Sequence, residues 1–89
     1  MTEIRTLQLK NKLGMHARAA ANFVKVAQQF KAGIHIEHKG QTVDGRSILD
    51  ILTLACPKGG TLTIKADGDD ASAAIEELEK LIENKFGET

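Results

Sequence analysis

His16, followed two residues later by Arg18, is the pairing in this chain best suited to chemistry. Leu13, Gly14 and Met15 lead into it through a turn-rich loop that opens at Asn11 and Lys12, and an amphipathic pattern begins just after it. A helix N-terminus presents unpaired amide groups and a partial positive charge, so a phosphate carried there would meet backbone donors. Arg18 adds a permanently charged planar fork matched to phosphoryl oxygens. Neutral imidazole is nucleophilic near pH 7, and a phosphorylated ring nitrogen is itself a good phosphoryl donor. Gly14 can take a positive φ or let the loop come close to a partner. On spacing alone a plainer reading stays open, with His16 a polar helix cap and Arg18 a solvated surface charge.

Other candidates are weaker. Ser47, with Asp50 three residues on, resembles a capping box, and losing such a cap costs about 1 kcal/mol. Arg46 beside it reads either as a charge able to hold a phosphate on Ser47 or as a solvated side chain. Ile48, Leu49, Ile51 and Leu52 are too apolar for one narrow stripe, so some of them should be exposed as a partner surface, unless all four pack under a loop. His35 and His38 are three residues apart on a strand and point to opposite faces, so they cannot share a metal ion and are expected at the surface. Cys56 is the only cysteine, which rules out an internal disulfide and a cysteine metal cage and suits a core position.

The elements that must position these groups follow from periodicity. Leu7 and Leu9 alternate with Thr6 and Gln8 over a strand from Arg5 to Lys10, and Ile4 breaks the parity. Ala20, Phe23, Val24, Ala27 and Phe30 recur at helical spacing over roughly residues 17 to 30. Ile34, Ile36 and His38 alternate into a tight turn at Lys39 and Gly40, and Thr42 and Val43 return as a short strand. A helix of about two turns starts at Ser47 and stops before Pro57. Leu62, Ile64 and Ala66 mark a last strand. Ala71, Ala74, Ile75, Leu78, Leu81 and Ile82 mark a last helix, with Asp69 or Asp70 as its cap, Glu76 and Lys80 paired, and Gly87 beyond its end. One apolar face per strand predicts an α+β, open-faced two-layer sandwich: a four-stranded antiparallel sheet with three helices on one face, in the order β-α-β-β-α-β-α.

With 89 residues, 42% hydrophobic and 27% charged, the chain is expected to form a single domain over 1–89, with no room for a two-domain enzyme. Twelve basic residues balance twelve acidic ones, but residues 1–39 hold seven basic and two acidic side chains against five and ten in the remainder, so one end favours anionic partners. Three Phe and no Trp or Tyr leave almost no stacking platform for single-stranded nucleic acid. No apolar run nears the roughly 18 residues of a membrane span, and the first residues lack a signal-peptide core, so a cytoplasmic protein is expected.

The run Gly14, Met15, His16, Ala17, Arg18, the element order, and the later Gly45, Arg46, Ser47, Ile48, Leu49 closely resemble the HPr family, phosphocarriers of the phosphoenolpyruvate-dependent phosphotransferase system. The resemblance spans essentially the whole chain. It implies that His16 accepts a phosphoryl group on Nδ1 from enzyme I and passes it to an enzyme IIA domain, that Arg18 is its active-site partner, and that no cofactor or metal is needed. It also implies that Ser47 is a regulatory site for a Ser-directed HPr kinase/phosphorylase, and that Ile48, Leu49 and Leu52 form a docking patch while Ile51 is core. Lys12, Arg18 and Lys25 would face acidic partners, and a monomer is the default. One departure is Ala19, where the family usually has Pro, which leaves the start of the helix freer. The segments Asn11 to His16 and Asn84 to Glu88 look like the nitrogen-related branch, whereas the Ser47 segment looks like the sugar branch. A competing class is a regulatory binding module acting through Ser47 and its helix. A small anion-binding enzyme would require a second acid or base in reach of His16, and the motif supplies only Arg18, which cannot deprotonate.

Overall fold

The computed structural model describes residues 1–88. Its elements are β1 (Thr2–Gln8), α1 (Ala17–Ala27), β2 (Gly33–His38), β3 (Gln41–Asp44), α2 (Ile48–Thr53), β4 (Thr61–Asp67) and α3 (Ala71–Glu83), closed by a 3₁₀ turn at Lys85–Gly87. The four strands form one antiparallel sheet in the order β1-β4-β2-β3. Leu7, Ile34, Ile36, Leu62, Ile64 and Ala66 point from it toward the helices and are buried with Phe23, Ile51, Ile75, Leu78 and Ile82. The other face is open: His35, Glu37, Thr42 and Lys65 are exposed there. Ile4, 63% exposed, belongs to that open face, so it keeps the strand's parity and is simply an apolar residue on the solvent side. Arg5, on the helix side of β1, reaches Glu79 of α3 as an ion pair. Among the described residues no helix is long and apolar enough to cross a membrane.

The β2–β3 hairpin turns through Lys39 and Gly40, both at positive φ (51° and 82°), the backbone a tight two-residue hairpin requires. His38 corrects a sequence expectation. It is buried rather than at the surface, because it continues the inward alternation of Ile34 and Ile36, and its Nδ1 pairs with the Thr61 carbonyl at 2.8 Å.

Two polar side chains tie the helices to the loops. Arg46 is neither solvated nor turned toward Ser47: its Nη2 donates to the carbonyls of Ala27 (3.2 Å), Phe30 (2.6 Å) and Ala32 (2.8 Å), closing the C-terminal end of α1. Cationic donors suit those orphan carbonyls and the negative end of the helix dipole. Arg46→Ala is expected to cost about 2–3 kcal/mol, because partly buried carbonyls lose a charged donor. Scanning calorimetry should then read a Tm lower by roughly 10–20 °C, and an unchanged Tm would refute the cap.

Asp70 occupies the N-cap position of α3, but its side chain does not cap that helix. Its carboxylate instead accepts from the backbone N–H groups of Lys31 and Ala32, both at 2.8 Å. The Lys31 amide, then that of Ala32, outweighs desolvation and holds the carboxyl below its ordinary value of 3.8. A depressed carboxyl contributes stability that is present above the unfolded value and lost as pH falls through the folded one. Asp70→Asn should therefore lower Tm at pH 7, and the gap to wild type should close as the pH drops below about 4. A gap independent of pH would rule this account out.

Candidate functional site

The loop between β1 and α1 is shaped from outside itself. Gly14 has φ +66°, a conformation that disfavours any Cβ, and its backbone lies against the β4-side loop: an added Cβ would fall 2.6 Å from the Cys56 carbonyl oxygen and 2.9 Å from Lys58 N. The close approach is thus to the chain's own backbone. Met15 N donates to Cys56 O at 2.9 Å, and Leu9 exchanges bonds of 2.9 Å with Gly59 and Gly60. Cys56 is buried, and that burial pushes its thiol up, leaving it a packing residue.

His16 takes the N-cap position of α1, with φ −97° and ψ −179°, yet its side chain makes no capping bond. Its backbone carbonyl accepts from Ala20 N at 2.9 Å, while the first-turn amides find no side-chain acceptor among the described residues. This decides against His16 as a mere polar cap, since a cap would have used one of those donors. Its Nε2 instead pairs with Glu88, 72 residues away. An ionised carboxylate only accepts, so in the neutral ring this pairing is met by the tautomer that carries its proton on Nε2 and its lone pair on Nδ1. Desolvation alone would raise the Glu88 carboxyl, but hydrogen bonds from Asn11 and His16 and the charges of His16 and Arg18 together hold it below the usual carboxylate range. Arg18 is exposed and makes no ion pair among the described residues. With Lys12, Asn22 and Phe86 these residues line an open depression of about 920 Å³.

Glu88 reaches the site because the chain after α3 turns through Lys85, Phe86 and Gly87 at φ 57°, 55° and 78°. Phe86 is buried and its carbonyl accepts from the Asn22 amide at 3.3 Å, which anchors the turn on α1. Sequence reasoning singles out neither Glu88 nor Asn11 as a site residue. The signal that could have found them is an aromatic followed by glycine just past an amphipathic helix, in a chain with only three Phe. The acid that sequence reasoning missed near His16 is therefore present.

Ser47 caps α2, accepting from Asp50 N at 3.2 Å. On that helix Leu49 is 77% exposed, Ile48 is exposed, Leu52 is half-buried against the core and Ile51 is buried. Ala19, in the first turn of α1, is buried too. Lys12 and Lys25 are exposed. Among the described residues no group of three or more His, Cys, Asp or Glu is arranged to hold a metal ion.

The sandwich leaves one sheet face bare and sets the His16 imidazole at an uncapped helix start, beside the exposed Arg18. Comparison with known proteins supplies the class. The family described as "PTS HPr component phosphorylation site" matches residues 4–84. The phosphocarrier protein HPr of Cupriavidus necator is 41% identical over 78 residues, 88% of each chain, and that of Pseudomonas aeruginosa is 40% identical over 79, again 88% of each. The crystal structure of an HPr from Thermoanaerobacter tengcongensis superposes with a TM-score of 0.94 at 41% identity over 98% of both chains. A structure described as an HPr dimer from that organism gives 0.78 at 43% identity, covering 92% of this chain and 94% of that one. The chain belongs to the HPr family, and it is a phosphocarrier of the phosphotransferase system rather than an enzyme.

Proposed function

We propose that the protein accepts a phosphoryl group on His16 Nδ1 from phosphorylated enzyme I, ultimately from phosphoenolpyruvate, and donates it to an enzyme IIA component for sugar uptake or nitrogen and carbon regulation. The observation that carries this reading is the Glu88 carboxylate at Nε2, which leaves the Nδ1 lone pair as the ring's nucleophile. Attack by that lone pair forms the nitrogen–phosphorus bond while the donor's bond to phosphorus breaks and its electron pair leaves with the donor. Positive charge developing on the ring is matched by Glu88, and the phosphoryl oxygens meet the uncapped amides of α1 and the Arg18 guanidinium.

Ile48, Leu49 and Leu52 serve as the docking patch on α2, an apolar surface that neighbouring Arg18, Lys12 and Lys25 complement toward acidic partners. Ser47 is the target of a Ser-directed kinase/phosphorylase, and phosphate at a helix N-terminus modifies contact without unfolding the domain. The chain works as a single-domain monomer over 1–89 in the cytoplasm, without cofactor or metal. The test is to incubate the purified protein with phosphoenolpyruvate and enzyme I and to compare intact mass before and after mild acid. An acid-labile phosphoryl gain is expected. No gain with a competent enzyme I would overturn the carrier reading.

A further inference from the structure

Asn11 is fully buried, and the use it makes of its side chain is unusual. Its Nδ2 donates both to the Gly14 carbonyl at 2.6 Å and to Glu88 Oε1 at 3.1 Å, while its Oδ1 is buried with no hydrogen-bond partner among the described residues. Two acceptors facing one end of the amide fix which end is nitrogen, since the flipped amide would set oxygen against a carbonyl and a carboxylate. An orphaned buried acceptor is a standing cost, and native structures rarely carry one without a compensating role. The other Glu88 oxygen, Oε2, is the one that pairs with His16 Nε2. Asn11, Glu88 and His16 therefore stand in line, each linked to the next, although 77 residues separate the first two.

We propose that Asn11 is a positioning residue that holds the Glu88 carboxylate against His16 Nε2 and so selects the imidazole tautomer whose Nδ1 is free to take the phosphoryl group. This rests on His16 being the acceptor. A carboxylate left to rotate on a chain end would meet Nε2 only part of the time, and the imidazole would then exchange between its two tautomers. Outer partners that fix a functional imidazole in this way typically govern its performance by about ten- to a hundredfold. The same Nδ2 fixes Gly14 O, so one buried amide sets both the loop and the acid that flank the ring.

The test reads the imidazole of the full chain directly, by ¹⁵N NMR of His16 without any phosphoryl donor, in wild type, Asn11→Ala, Glu88→Gln and the double variant. Wild type is expected as the Nε2–H tautomer. Each single variant should shift His16 toward a tautomer mixture and slow phosphoryl acceptance by about tenfold, and the tautomer ratio of the double variant should match that of Glu88→Gln alone, because Asn11 reaches the ring only through Glu88. Asn11→Ser, whose hydroxyl can serve Gly14 O but is too short for Glu88, gives the same readout should the alanine variant fail to fold. An unchanged tautomer in both Asn11 variants, or a double variant displaced beyond Glu88→Gln, would overturn the proposal and leave Asn11 a loop-packing residue. Failure of the acceptor assignment is separable, since it would show as phosphoryl mass retained in His16→Ala whatever the tautomer.

Discussion

His16→Ala is expected to gain no acid-labile phosphoryl group from phosphoenolpyruvate and enzyme I while keeping its fold. The loss should be complete. Neither of the other two histidines can substitute, since His35 lies on the open sheet face and His38 is buried on the Thr61 carbonyl. Nothing around either one reproduces a helix start with unused amides. The structural cost should stay below about 1 kcal/mol, because the imidazole caps nothing and its one partner is Glu88 near the chain end. Intact mass before and after acid, run beside a thermal melt, separates the two effects. A variant that melts like wild type and still gains the acid-labile group would remove His16 from the centre of the mechanism.

Gly14→Ala should produce the largest combined loss of stability and transfer. Left-handed backbone costs a non-glycine residue about 1–2 kcal/mol before any contact is counted. Here the new Cβ would also press on the Cys56 oxygen at 2.6 Å and on Lys58 N and Pro57 C at 2.9 Å, all backbone atoms with no rotamer to escape into. Relief requires the two loops to part, which breaks the Met15–Cys56 bond that helps aim His16. We expect about 3 kcal/mol or more of destabilisation. Phosphoryl acceptance should fall on the order of a hundredfold in the protein that is still folded, since a displacement near 1 Å is enough for that. Urea unfolding and a transfer rate measured well below Tm would check the two parts separately. Wild-type values in either would show that the loop yields without cost.

The place of His16 and Arg18 at the start of α1 was legible because both lie within one short motif set by local backbone. The architecture was legible for a similar reason: alternation in β2 and β4 and helical spacing in α1 and α3 each arise within a few residues. What escaped were side chains whose role is set by distant partners. Glu88 counted as one more acid until the left-handed turn at Lys85 and Phe86 carried it back across the molecule. Arg46 read as a phosphate holder or a solvated charge because its carbonyl partners, at and just past the end of α1, lie 14 to 19 residues earlier. Asp70 had the right type and place for a cap but found better donors in the α1–β2 loop. Lys80 likewise pairs with Glu77 rather than Glu76, a choice between two neighbours on the same helix face that spacing could not make.

β1 lies at the sheet's edge and pairs with β4 alone, Thr2 opposite Asp67 and Gln8 opposite Thr61. On the ribosome, then, the histidine that leads the chain emerges long before anything that can hold it. Its loop waits for Cys56, its strand for residues 61–67, and its ring for Glu88. Pairings this distant in sequence close late in folding. A chain lacking only the last turn would still close the sheet and the loop against Cys56, but its His16 ring would have no Glu88 to meet.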